Sequence, residues 1–191
     1  DYVPFAAVSE ECRRQSITCL APTKTFNIAG LQTAAVCVPD PVLRHKVWRG
    51  LNTDEVAEPN AFAVDAAVAA FTKGAPWLDE LRGYIAQNKR EAADFIRAQI
   101  PSLCPVPSEA TYLLWLYADS FCGRADEAAA LIRRTTGLWL SAGTAYGGNG
   151  GSCLRMTLAC PRQVMTDGLN RLKAGMAACT AHFAASPASS R

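Results

Sequence analysis

The stretch from residue 77 to residue 100 sets Leu78, Leu81, Ile85, Ala92, Phe95, Ile96 and Ile100 close to one face of a helix, and Pro101 ends it. A helix of that length with one apolar side has to lay that side against other elements, so the chain is expected to build a packed core. The material for one is present: 50% of the 191 residues are hydrophobic.

What surrounds this helix has both strand and helix periods. Residues 16–20 and 33–38 are short, β-branched and apolar, and are expected to be two buried strands. Residues 41–51 read as a short helix with Pro41 at its opening turn, and residues 60–73 as an Ala-rich helix ending at Gly74. Further on, residues 103–106, 111–117 and 153–158 read as strands and residues 124–136 and 162–179 as helices. The alternation predicts an α/β fold. Residues 143–151 are too glycine-rich for helix or strand, and the Ala, Ser and Pro of residues 183–191 predict a frayed end.

Charge and cysteine content remove several function classes. Nineteen basic residues against seventeen acidic ones give a formal charge of +2, with no block of like charge to follow a phosphate backbone, so nucleic acid is not an expected partner. No apolar run reaches the roughly 18 to 20 residues of a membrane span. None of the eight cysteines lies in a C-x-x-C pair, which argues against a zinc ribbon, and several sit in apolar runs as free thiols do. A reduced, cytoplasmic setting is the expectation. The two histidines, His45 and His182, are near no Ser or Cys nucleophile motif and supply no metal-ligand spacing, so hydrolase and metal sites are not expected.

Lys24 lies between two hydroxyl residues in a largely apolar strand-to-loop segment, where desolvation would free an amine for imine chemistry. On those residues alone an ordinary surface lysine is the more frequent outcome. The whole segment, Ala21-Pro22-Thr23-Lys24-Thr25-Phe26-Asn27-Ile28-Ala29-Gly30-Leu31, resembles the cofactor-lysine motif of the cystathionine β-lyase-like branch, the PatB/MalY group, of the class I/II aminotransferases. Other pieces agree in the same order: Glu58-Pro59-Asn60-Ala61-Phe62-Ala63, Thr111-Tyr112-Leu113-Leu114-Trp115 and Leu154-Arg155-Met156-Thr157-Leu158-Ala159-Cys160-Pro161-Arg162.

The resemblance implies the C-terminal half of an enzyme of the aspartate-aminotransferase architecture, fold type I of the pyridoxal 5'-phosphate enzymes. Residues 1–75 would be the end of the large cofactor domain, residues 76–185 a small α/β domain and residues 186–191 a flexible tail. Lys24 would hold the cofactor and then remove the substrate's Cα proton. Thr23 would contact the cofactor phosphate, and Arg155 would grip the substrate α-carboxylate, a task suited to the planar guanidinium fork. Tyr146 would border the substrate pocket, with ordinary loop packing an equal alternative. Two departures stand out: Gln32 occupies the slot, eight residues after the lysine, of a phosphate-binding Arg in many relatives, and Tyr117 replaces a frequent Asp.

The implied reaction is β-elimination at a carbon–sulfur bond of a cystathionine-like or cysteine-like amino acid. Transamination is the alternative within the superfamily, and a truncated, non-catalytic interaction protein the alternative outside it. The opening Asp1-Tyr2-Val3-Pro4-Phe5 reads as a cut end. By the resemblance, an N-terminal half would supply the Asp for the pyridine nitrogen, a ring-stacking aromatic and a glycine-led phosphate turn, and the complete enzyme would be a homodimer.

Overall fold

The computed structural model describes residues 2–185, so the expected tail at 186–191 lies outside the described residues. The chain divides into two compact units, one running to Leu81 and the other starting at Arg82.

The first unit opens with a short helix α1, Glu10–Arg14, whose Ser9 cap accepts a hydrogen bond from the Cys12 amide. Two strands follow, β1 at Thr18–Leu20 and β2 at Ala35–Cys37, paired antiparallel with Cys19 opposite Val36. Helix α2, Pro41–Thr53, starts as its sequence requires: Pro41 needs no donor in the first turn, and Asp40 Oδ1 accepts from the Leu43 amide. Helix α3, Ala63–Lys73, is capped by Gly74, and helix α4 is one continuous rod over Ala75–Gln99.

The expectation of buried strands is corrected here. Leu20 is 46% exposed and Val36 37%, because a two-stranded ribbon cannot bury its own faces. Among the described residues of this unit the buried apolar side chains are Pro22, Val38 and Ala63, whereas Trp48, Phe62 and Phe71 stand exposed.

The second unit has the core. Strands β3 (Cys104–Pro105), β4 (Leu113–Tyr117), β5 (Ser141–Ala142) and β6 (Cys153–Thr157) form an antiparallel sheet in the order β3-β4-β6-β5. Helices α5 (Ala125–Thr136) and α6 (Arg162–Ala185) join the end of α4 in covering one face. The period-two alternation of β4 and β6 decides which side chains go inward: Leu114 lies opposite Met156 and Leu116 opposite Leu154, all buried. Leu131, Ile132, Leu169, Leu172 and Met176 meet them from the helices. At Gly175 a Cβ would press on the Ile132 side chain, so the glycine lets α5 and α6 approach closely.

Polar ties fix the frame. Asn88, fully buried on α4, donates through Nδ2 to the carbonyls of Leu158 at 3.1 Å and Cys160 at 3.2 Å, which pins the end of β6 to the helix. Lys89 Nζ donates to the Ser108 and Ala110 carbonyls at 3.2 and 2.7 Å, and burial holds its pKa below the ordinary lysine value. That bracket sets the turn through Thr111, at φ 62°, into β4.

Candidate active site

The lysine segment is a compact turn rather than an open loop. The Phe26 amide donates to the Pro22 carbonyl and the Ile28 amide to the Thr23 carbonyl, each at 2.9 Å, while Asn27 takes the left-handed conformation that Asn tolerates. Phe26 anchors the turn by stacking on Trp77, 5.9 Å between ring centroids, and by filling the space beside Gly74 where a Cβ would collide with it. Asn60 Nδ2 donates to the Leu31 carbonyl and closes the far end. The quoted motif thus spells an anchored turn with Lys24 at its surface.

Lys24 itself is exposed and Thr23 half-buried. The expectation of a lysine desolvated by its own segment is therefore corrected: the apolar neighbours that suggested it, Pro22 and Phe26, pack inward and leave the amine outside. Among the described residues Lys24 makes no hydrogen bond or ion pair. A primary amine with a hydroxyl beside it is a donor set suited to a carbonyl and a phosphate.

In the second unit the sheet face opposite the helices carries the other candidate residues. Arg155 on β6 stands between its register partners Trp115 on β4 and Ser141 on β5. Its Nη2 donates to Ser141 Oγ at 3.4 Å, and its guanidinium carbon lies 4.5 Å from the centroid of the Tyr146 ring. Tyr146 in turn meets Trp115 edge-on, 5.3 Å between centroids at 86°. Among the described residues no carboxylate pairs with Arg155. An arginine held this way, with most of its N–H donors unused, is equipped to receive a carboxylate.

The glycine-rich segment presents Tyr146. The expected irregular stretch contains two 3-10 turns, Gly143–Tyr146 and Gly150–Ser152, separated by Gly147 and Gly148 at positive φ. Gly143 and Gly150 lie back to back, and a Cβ on either would strike the other's carbonyl oxygen. The glycines therefore close a tight loop over the sheet. Tyr117, the departure noted in the sequence, donates its hydroxyl to Asp119 Oδ1, and this bond raises the phenol pKa.

Lys24 and Thr23 thus occur together in one unit, and Arg155 and Tyr146 together in the other. Arg162, half-exposed with its amide donating to the Tyr84 hydroxyl at 2.8 Å, serves the start of α6. Sequence reasoning missed Trp115 and Ser141 as neighbours of Arg155, because strand register is needed to see them. Among the described residues no three His, Cys, Asp or Glu side chains gather to hold a metal ion.

The family Aminotransferase class I and II matches residues 5–172. The chain belongs to that family. It is 38% identical over 175 residues to cystathionine β-lyase PatB of Bacillus subtilis (strain 168), which covers 92% of this chain and 45% of PatB. Among solved structures, a PLP-bound, provisionally assigned aminotransferase of Clostridium difficile 630 superposes with a TM-score of 0.85 at 32% identity over 92% of this chain and 45% of its own. A PLP-bound C–S lyase of Staphylococcus hominis does so with a TM-score of 0.74 at 27% identity, over 87% of this chain and 44% of its own. The chain therefore spans a little under half the length of these relatives and corresponds to their C-terminal part in the PLP fold type I architecture.

The exposed, unpaired Lys24 amine and the adjacent Thr23 hydroxyl fit pyridoxal phosphate as a covalent tether and one phosphate contact. Gln32 takes the left-handed conformation, at φ 46°, and offers a neutral amide.

Proposed function

We propose that this chain is the C-terminal part of a pyridoxal phosphate-dependent carbon–sulfur lyase acting on cystathionine-like or cysteine-like amino acids. The observation that carries the reading is Arg155, without a carboxylate partner on an open sheet face and set over Tyr146, in a chain 38% identical over 175 residues to a cystathionine β-lyase. In this reading residues 1–75 belong to the large cofactor domain and residues 76–185 to the small one.

Pyridoxal phosphate, when bound, supplies an aldehyde that condenses with amines and a ring that accepts the electron pair left at Cα. Lys24 tethers it, and Thr23 contacts its phosphate. Once a substrate amine has taken its place, Lys24 Nζ stands free to take the Cα proton, since its tether keeps it within reach. Arg155 receives the α-carboxylate in the plane of its guanidinium, which orients the Cα–H bond and fixes which amino-acid end enters. The pair of electrons from Cα–H then forms the Cα–Cβ double bond as the Cβ–S bond breaks, and the sulfur leaves as a thiolate that becomes a thiol by taking back the proton Lys24 Nζ removed. Hydrolysis of the remaining enamine gives pyruvate and ammonia.

In this reading the part of such an enzyme that this chain does not span supplies the partner for the pyridine nitrogen. A homodimer in the cytoplasm is part of the same reading, and the eight unpaired thiols agree with a reducing compartment. The full-length protein, loaded with the cofactor and given cystathionine, is expected to release pyruvate. Keto-acid exchange without pyruvate would instead establish the transaminase reading, which the likeness to the C. difficile protein favours. Neither activity in a loaded protein would leave the non-catalytic reading.

A further inference from the structure

We infer that Trp115 and Tyr146 are positioning residues for Arg155, forming an aromatic bracket that fixes the guanidinium for carboxylate capture. This rests on the reading of Arg155 as the carboxylate grip and deepens it. Three observations support it. Trp115 is the direct register partner of Arg155 across β4 and β6, so the two side chains rise from adjacent points on one face. The Arg155 guanidinium sits over the Tyr146 ring at 4.5 Å. Trp115 meets that same ring at 5.3 Å and 86°, which fixes its tilt.

The physical logic separates this bracket from a direct substrate contact. An aromatic face attracts a cation through its quadrupole and uses none of the N–H donors, so the guanidinium edge stays available to a carboxylate. Ser141 Oγ, at 3.4 Å, occupies only one of those donors. A salt-bridge partner would orient Arg155 as well, but would compete with the substrate for the same fork. The bracket orients without competing. Its ring faces matter and the Tyr146 hydroxyl does not, so phenylalanine should substitute at position 146 and leucine should not.

Tyr146 is held for this purpose by its own loop. The back-to-back glycines, Gly143 and Gly150, draw the loop ends together, and the 3-10 turn Gly143–Tyr146 ends at the ring. Tyr146 is nonetheless 51% exposed, so the loop presents the ring to the open face rather than burying it in a core. Trp115 then acts at one remove, through Tyr146, on Arg155.

The test uses the full-length holoenzyme and two ligands without a leaving group at Cβ, L-alanine, which carries the α-carboxylate, and L-alaninamide, which does not. Dissociation constants are measured by calorimetry for Trp115→Leu, Tyr146→Leu, Trp115→Phe and Tyr146→Phe, each alone and with Arg155→Ala, and KM and kcat are measured for cystathionine. The leucine variants are expected to weaken L-alanine about 3- to 30-fold and raise KM comparably, while L-alaninamide stays within about twofold. The phenylalanine variants should stay near the parent. With Arg155→Ala in place, the leucine substitutions should add nothing, because they act through the arginine.

Equal weakening of both ligands would show a merely structural role and overturn the proposal. So would a loss that persists with Arg155→Ala, or unchanged L-alanine affinity in leucine variants that retain the parent's circular dichroism. If a leucine variant fails to fold, the phenylalanine pair decides: a tenfold or greater loss in Tyr146→Phe would assign the hydroxyl and overturn the ring. The underlying reading fails separately. If Arg155→Ala alone leaves L-alanine affinity intact, Arg155 is not the grip.

Discussion

At the scale of single residues, the proposed function assigns most of the chemistry to two side chains, and their substitutions should fail differently. Lys24→Ala in the full-length protein is expected to remove the visible absorbance of tethered cofactor and essentially all turnover, because both the tether and the Cα base are lost. Absorbance and pyruvate release check it together. Arg155→Lys keeps a positive charge but loses the two-pronged fork, so KM should rise by about 10- to 100-fold with a smaller change in kcat. Steady-state kinetics with cystathionine read that split. Lys24 was legible as a candidate because its eleven-residue setting is distinctive. Its exposure was not legible, since the apolar residues that surround it in sequence, Pro22 and Phe26, turn away from it in space. Trp115 could be put on a face by counting in twos, but its pairing with Arg155 depends on a register that no local sequence states.

At the scale of elements, the glycine loop and the α5–α6 interface make separate predictions. Gly143→Ala puts a methyl group against the Gly150 carbonyl, which has no flexible end that can move aside, so the loop should be forced open. A loss of about 1 to 3 kcal/mol in stability is expected, read by denaturant unfolding, together with a raised KM as Tyr146 shifts. Within the helix pair, Cys179 is buried and its Sγ lies 3.8 Å from the Ala128 carbonyl. Burial, with the Glu127 carboxylate adding to it, pushes the thiol from 9.0 up to about 11. The folded protein therefore keeps the proton longer than the unfolded chain. The stability this gives is complete below the ordinary thiol value and is lost as the pH rises through about 11. Melting temperatures of the parent should fall toward those of Cys179→Ala across that alkaline window, and a constant gap would contradict the assignment. The helices and strands were readable because their apolar periods are long or their turn residues plain, as with Pro41 and Gly74. Strand β5 and helix α1 were not, being only a few residues long and set by pairing and capping rather than by pattern.

For the molecule as a whole, the two units differ in what they bury. The second unit closes around Leu116, Phe121, Ile132, Leu154 and Leu172, each fully buried and each contributing on the order of 2 kcal/mol by burial. The first keeps Phe5, Trp48, Phe62 and Phe71 more than half exposed. Scattered apolar residues on a surface need no explanation, but so many large ones in one unit with so few buried do. The 191-residue chain on its own is expected to self-associate and to hold pyridoxal phosphate weakly. Light scattering and a cofactor titration of the isolated chain check this, and a monodisperse monomer that binds the cofactor tightly would contradict it. The α/β architecture was legible from the alternation of periods, whereas this imbalance was not, because composition counts apolar residues without saying which find a neighbour.

Helix α4 runs without a break through the point where the two units divide, between Leu81 and Arg82. Anyone dissecting the chain at that point cuts inside a helix rather than a loop. Severing the chain there would create two raw helix ends, each with up to about four backbone groups stripped of their partners. The natural place to cut is a few residues earlier, where Gly74 already closes one helix and Ala75 opens the next. A piece beginning at Ala75 would take the whole rod with it, along with the buried Asn88 that ties the rod to the sheet.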